Sequence, residues 1–232
     1  MGLCYSRREC MQKTSPPVCA LVSGGLDSAV LVHRLSTTHP RILPVYLRGG
    51  LSWEDAELHW LRRFLRAIHM PRLAPLHMAE LPLRSLYGAH WSVTGRGIPG
   101  ARSADAAVYL PGRNALLLTH AAVLAARHRI SAIALGILKG NPFGDATPRF
   151  FRLIASSLSE ALGHPVRIFA PLARSTKVQL IRQASAAGVP LGLTFSCLRP
   201  RGLRHCGRCN KCAERRRAFR TAGVPDPTQY VH

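Results

Sequence analysis

The stretch Val18-Cys19-Ala20-Leu21-Val22-Ser23-Gly24-Gly25-Leu26-Asp27-Ser28 decides the fold. Five apolar residues end in Ser-Gly-Gly, and apolar residues then recur at helical spacing over residues 29–35. That pattern is strand, tight turn and helix. At such a junction the free N–H groups of the first helical turn and the positive end of the helix dipole point at one spot, which makes an anion site. Gly24 and Gly25 let the backbone wrap closely around a phosphate, Ser23 and Ser28 add hydroxyl donors, and Leu26 belongs to the same expected nucleotide-binding run. Asp27 would repel a phosphate, so its expected task is to hold Mg²⁺ or to orient the loop. A Ser or Asp beside glycines also caps ordinary helices, but here the whole run falls in the first βα turn. The spacings of Walker and dinucleotide loops are absent.

Outward from that run, apolar strands and amphipathic helices alternate. Strands are expected over residues 41–47, 72–77, 132–137 and 166–169. Helices are expected over 53–68, with Ser52 and Asp55 as the cap, over 114–127 behind Pro111, over 148–163, and over 175–187 before Gly188 and Pro190. Residues 82–107, with four glycines and two prolines, read as a long loop. Such alternation implies right-handed crossovers and an α/β fold, a doubly wound parallel sheet covered on both faces. Residues 18–190 are the expected nucleotide-binding domain. Residues 191–232 break the pattern and form a small C-terminal appendage. Residues 1–17 read as a flexible tail, with Met11 as an alternative start.

Composition excludes some classes. With 47% hydrophobic and 19% charged residues, the 232-residue chain is not a disordered one. No apolar run approaches the ~20 residues that span a bilayer, and the N-terminus has no signal-like apolar core, so a cytoplasmic protein is expected. The formal charge of +21 has two readings, a polyanionic partner such as nucleic acid or an arginine-rich composition. Lysines occur only at 13, 139, 177 and 211, and basic residues scatter along the chain apart from Arg215-Arg216-Arg217. That scatter favours the compositional reading.

Seven cysteines fall in two groups, Cys4, Cys10 and Cys19 against Cys197, Cys206, Cys209 and Cys212. An odd number without a secretion signal argues for a metal site over a disulfide framework. Two C-x-x-C steps and a fourth thiolate close a tetrahedron, which fits structural Zn²⁺ with no open position. Four thiolates also accept an iron–sulfur cluster, and His205 could replace one sulfur. A redox pair would leave two cysteines idle.

The run at residues 23–28 resembles the signature of the PP-loop ATP pyrophosphatases. Together with Leu110-Pro111-Gly112-Arg113-Asn114, the stretch from Lys177 to Thr194-Phe195-Ser196-Cys197, and the Cys206–Cys212 pattern, the chain is similar to the 7-cyano-7-deazaguanine synthase family. The resemblance covers roughly residues 18–226. It implies an ATP-consuming carbon–nitrogen ligase that adenylates 7-carboxy-7-deazaguanine, uses ammonia and forms the nitrile for queuosine biosynthesis. It further implies a homodimer, Zn²⁺ at the four cysteines, phosphates on residues 23–28, Arg113 and Asn114 against nucleotide or substrate, and Lys177 near the phosphates. An amide-forming variant, or a tRNA-modifying enzyme of the thiolating kind, is the alternative. Against thiolation, no cysteine lies between Cys19 and Cys197. Two loops depart from the family pattern: Tyr46-Leu47-Arg48-Gly49-Gly50-Leu51-Ser52-Trp53-Glu54, and Lys139 to Asp145. Both lie at the carboxyl ends of strands, where such sheets bind ligands. A guanine-like face offers two parallel donors to a carboxylate, so Asp145 and then Glu54 are the expected substrate residues.

Overall fold

The computed structural model describes residues 15–231; the expected tail, Met11, Cys4 and Cys10 lie wholly or mostly outside them. Five strands form one parallel sheet: β1 (Val18–Leu21), β2 (Ile42–Arg48), β3 (His77–Glu80), β4 (Ala132–Ala134) and β5 (Arg167–Phe169), in the order β3-β2-β1-β4-β5. The helices are α1 (Leu26–Thr38), α2 (Glu54–Ala67), α3 (Leu83–Tyr87), α4 (Trp91–Thr94), α5 (Arg113–Arg127), α6 (Pro148–Leu162), α7 (Lys177–Ala186) and α8 (Asn210–Ala222).

The period-two alternation of the strands splits the core into two layers. Cys19 and Leu21 of β1, Leu43, Val45 and Leu47 of β2 and Ile133 of β4 face α5 and α6. Val18, Ala20, Ile42, Tyr46, Ala132 and Ala134 face α1, α7, α8 and the C-terminal half of α2. Every strand pair is parallel, with Val18 opposite both Ile42 and Ala132. The doubly wound α/β sheet expected from the sequence is therefore present. Successive strands step outward in opposite directions from β1, so the order reverses between β1 and β4 and leaves a crevice at their carboxyl ends.

Local differences from the sequence reading have identifiable causes. The third strand starts at His77, because Pro75 lacks an N–H and only Leu73 bridges Ile42 upstream. Ser52 does not cap α2; the cap residue is Trp53 in helical conformation, with no side-chain cap bond. Asp55 instead pairs with Arg48 at 2.9 Å on the surface. Pro111 lies outside α5, whose cap is Gly112 at φ 67°, and the 82–107 segment contains α3, α4 and a short 3-10 turn over Asp105–Val108. β4 ends three residues earlier than expected, and the chain then passes the phosphate loop at Gly136. A Cβ there would sit 3.2 Å from the Asp27 carbonyl carbon.

Residues after 190 close over the carboxyl end of the sheet. Phe195 N–H donates to the Gly24 carbonyl at 2.9 Å, and α8 packs along α7. The four C-terminal cysteines share one apolar layer with β1 and α5.

Candidate active site

α1 begins at Leu26 after Gly25, which offers no side chain to cap the first-turn N–H groups. Ser28 Oγ accepts the Ser23 N–H at 2.9 Å and lies 3.0 Å from Ser23 Oγ, so the two serines close the loop on itself. Gly24 has φ +74°, and a Cβ there would meet the Glu57 carbonyl and Leu61 at 3.0 Å. Gly24 is thus required by the fold. Gly25 is not: its Cβ would make only ordinary contacts, 3.4 Å to Ser23 Oγ and 3.5 Å to the Phe195 carbonyl. It lines the cleft, and the space a side chain would take there stays open to a ligand. Leu26 is buried in the core beneath the loop.

The cleft has two adjoining chambers of about 250 and 160 Å³, which share Ser23, Ser28, Glu57, Arg113 and Gly136 as walls. Lys177, the first residue of α7, enters from a capping box in which Thr176 and Gln179 bond each other's backbone. Its Nζ lies 3.2 Å from Asp27 and 3.0 Å from Glu214, which also holds Lys211 at 2.7 Å. Burial opposes the lysine charge, yet Asp27 and Glu214 together keep its pKa above the ordinary value. Burial likewise opposes the Glu214 charge, and Lys177 and Lys211 overcome it, holding the carboxyl at about 2. Lys177 and Glu214 are therefore both charged near neutrality.

Two buried atoms in this cleft have no hydrogen-bond partner among the described residues, Asp27 Oδ1 and Arg113 Nε. Such atoms are costly to leave unsatisfied. One is an acceptor suited to a cation, the other a donor suited to an anion. A nucleotide phosphate with its divalent ion would satisfy both.

Arg113 and Asn114 open α5, as expected, and both line the cleft. The two carboxylates that the sequence offers for substrate are committed elsewhere. Asp145 accepts the Asn114 N–H at 3.0 Å and the Asn114 side-chain amide at 3.3 Å, capping α5. Glu54 accepts the N–H groups of Gly49 at 2.6 Å and Gly50 at 2.7 Å, so it organises the loop after β2. Burial raises its pKa against those bonds. Neither lines the chambers.

Glu57 does line both chambers, and sequence reading missed it. It sits on α2 one turn beyond Glu54, accepts the Tyr46 hydroxyl at 3.0 Å, and is pushed up to about 7 chiefly by burial, against the pull of Arg113. Its spacing from Trp53 and Leu61 places it on the inward face of the helix, but charge on an amphipathic helix ordinarily marks the solvated face. Lys211, Glu214 and Ser196 were missed because nothing in sequence says that the C-terminal region returns to the cleft.

Cys197, Cys206, Cys209 and Cys212 bring four Sγ atoms within 4.8 Å of one another, all buried. The 206–212 and 197–209 pairs are 4.0 Å apart, near the roughly 3.8 Å edge of a tetrahedron with ~2.3 Å metal–sulfur bonds. Backbone N–H groups of Leu198, Arg199, Cys206, Arg208 and Cys209 point at the sulfurs. The donor set fits a metal ion. His205 is outside it: its Nε2 accepts the Ser196 N–H at 3.1 Å, and burial lowers its pKa to about 4, so it is neutral. Cys19 is fully buried in β1, and burial pushes its thiol up to about 12.

A parallel sheet with an uncapped Ser-Gly-Gly loop at its switch point, facing a half-buried lysine and arginine, defines a nucleotide-binding protein of the PP-loop class. Within that class, residues 18–223 match the family model described as Queuosine biosynthesis protein QueC, and the chain belongs to that family. It is 34% identical over 224 residues to the 7-cyano-7-deazaguanine synthase of Agrobacterium fabrum, covering 90% of each chain. It is 33% identical over 220 residues to that of Rhizobium leguminosarum, covering 90% of this chain and 89% of the relative. Among solved structures, the U34-tRNA thiolase NcsA of Methanococcus maripaludis superimposes with a TM-score of 0.50 at 12% identity, over 77% of this chain and 58% of that one, a likeness of fold alone.

Proposed function

We propose that this protein is an ATP-dependent ligase that converts 7-carboxy-7-deazaguanine and ammonia to 7-cyano-7-deazaguanine, adenylating first the carboxylate to form the amide and then the amide oxygen to form the nitrile, so that each oxygen leaves on AMP and each activation releases pyrophosphate. The observation that carries the reading is the pairing of unsatisfied groups across one cleft, Asp27 Oδ1 on the phosphate loop and Arg113 Nε opposite. A carboxylate is a poor electrophile, because attack by an amine would have to expel oxide. Transfer of AMP to its oxygen supplies a good leaving group, and the protein's part is to position reactants and neutralise phosphate charge.

Ser23, Gly24, Gly25 and Ser28 cradle the phosphates, and Lys177 and Arg113 face them with fixed positive charge. Asp27 would hold Mg²⁺, which neutralises phosphate oxygens when bound. Asn114 borders the nucleotide, while Asp145 and Glu54 shape the two loops beside the substrate. Zn²⁺ at the four cysteines closes the coordination shell and serves structure. It would fix the segment that brings Glu214 and Lys211 to Lys177. A homodimer completes the reading taken from the family resemblance.

Sulfur transfer, the alternative, lacks a usable thiol among the described residues. Cys19 is buried in the sheet and the other four described cysteines form the metal cluster. Nucleotide products decide the reaction class: release of AMP and pyrophosphate that depends on the deazapurine carboxylate supports the ligase, and ADP with phosphate contradicts it.

A further inference from the structure

Among the described residues, three carboxylates line the cleft: Asp27, Glu57 and Glu214. Asp27 and Glu214 are both paired with Lys177. Glu57 has no ion pair among the described residues; its Oε2 accepts the Tyr46 hydroxyl, and the Trp53 side chain also bonds its carboxyl. Its position is set from two sides. Gly24, with no side chain, lets the Glu57 backbone approach the phosphate loop to a distance that a Cβ would close to 3.0 Å. Tyr46 of β2, itself buried and held as a neutral phenol by burial and the nearby carboxylates, fixes the carboxyl orientation. Glu57 therefore lines the same two chambers as Ser23 and Ser28 of the phosphate loop and Arg113.

We infer that Glu57 is the general base of the carbon–nitrogen bond-forming step, an assignment that rests on the ligase reading above. The ammonia lone pair bonds to the carbonyl carbon of the acyl adenylate, the carbon–oxygen bond to AMP breaks with its electron pair leaving on AMP, and the proton shed by the new nitrogen goes to Glu57. Charge is conserved: one carboxylate is neutralised as AMP becomes a dianion. A base for this task works best with a pKa near the working pH. The groups facing Glu57 set that value. Burial raises it, and Arg113 of α5 and the Tyr46 hydroxyl of β2 lower it. Glu54 on its own helix raises it and the Trp53 indole lowers it, giving about 7.

The test separates the two half-reactions of the purified enzyme. Exchange of labelled pyrophosphate into ATP, dependent on 7-carboxy-7-deazaguanine, reads adenylation; rapid quench after adding ammonia reads bond formation. Glu57→Gln is expected to slow bond formation at least a hundredfold while exchange falls less than tenfold. At constant free ammonia, the wild-type rate should rise with pH through an apparent pKa near 7, and the variant should show no such rise. Glu57→Asp, which keeps a titrating carboxyl, should retain the pH-dependent limb if Glu57→Gln is poorly folded. Equal losses in both half-reactions, or an unchanged pH limb in Glu57→Gln, overturn the assignment. Absence of exchange in the wild type overturns the ligase reading itself.

Discussion

The Lys177 ammonium lies 3.2 Å from the Asp27 carboxylate, tying the start of α7 to the phosphate loop at the start of α1. The same ammonium reaches Glu214 of α8 at 3.0 Å, so three segments far apart in sequence meet at one nitrogen. Lys177→Met would leave two carboxylates facing each other without their shared cation. Both stability and activity should suffer, the first by about 1–3 kcal/mol, since these half-buried pairs keep part of their solvation. Activity should fall at least a hundredfold, about 2.7 kcal/mol. Urea denaturation and steady-state kinetics check these, and Lys177→Arg should recover part of the stability.

The two loop glycines should separate folding from binding. Gly24→Ala forces a side chain into positive φ and into Glu57 and Leu61, and should cost about 1–3 kcal/mol of stability. Gly25→Val should fold like the wild type yet weaken ATP by tenfold or more, because its side chain enters the space left for phosphate. Thermal melts and calorimetric titration with ATP measure the pair. Normal ATP affinity in Gly25→Val would place the nucleotide elsewhere.

Metal removal should be felt at the nucleotide. Purified protein is expected to hold about one zinc per chain, and serine at any of the four cysteines should lower folded yield. Since Phe195 bonds Gly24 and Glu214 bonds Lys177, chelation should also weaken ATP binding. Iron with visible absorbance in anaerobically prepared protein would replace zinc by a cluster.

Much of this site was legible in the sequence because its parts are local. The phosphate loop is a contiguous run, the cysteines carry their own spacing, and the sheet announces itself through apolar strands punctuated by glycines. Asp145 and Glu54 show where local reading ends. Their loops were correctly placed at the carboxyl end of the sheet, but whether a carboxylate faces ligand or backbone depends on neighbours that sequence does not name. Asp145 turns to Asn114, 31 positions away, and Glu54 turns to its own Gly49-Gly50 turn. Glu57 was invisible for the converse reason, a charge on a helix that ordinarily would be solvent-facing.

Asp145→Ala is accordingly expected to act through α5. Loss of the cap should cost about 1 kcal/mol of stability and displace Arg113 and Asn114 with it. Lower kcat/KM should accompany the lower melting temperature. A change in substrate affinity without any loss of stability would show that the carboxylate meets the substrate directly.

Stability should also report on Glu57. Its pKa is raised from 4.5 to about 7, so its contribution is fully present below pH 4.5 and is lost as pH rises through 7. Glu57→Gln, which cannot ionise, should gain on the wild type in melting temperature between pH 5 and pH 8. A constant difference across that range would mean that the carboxyl titrates normally.

The most direct test of the function is mass analysis of the product formed from 7-carboxy-7-deazaguanine, ATP and ¹⁵N-labelled ammonium. One labelled nitrogen in 7-cyano-7-deazaguanine, with AMP and pyrophosphate released, is the expected result. Recovery of unchanged carboxylate by a folded, metal-loaded enzyme that binds ATP would contradict it.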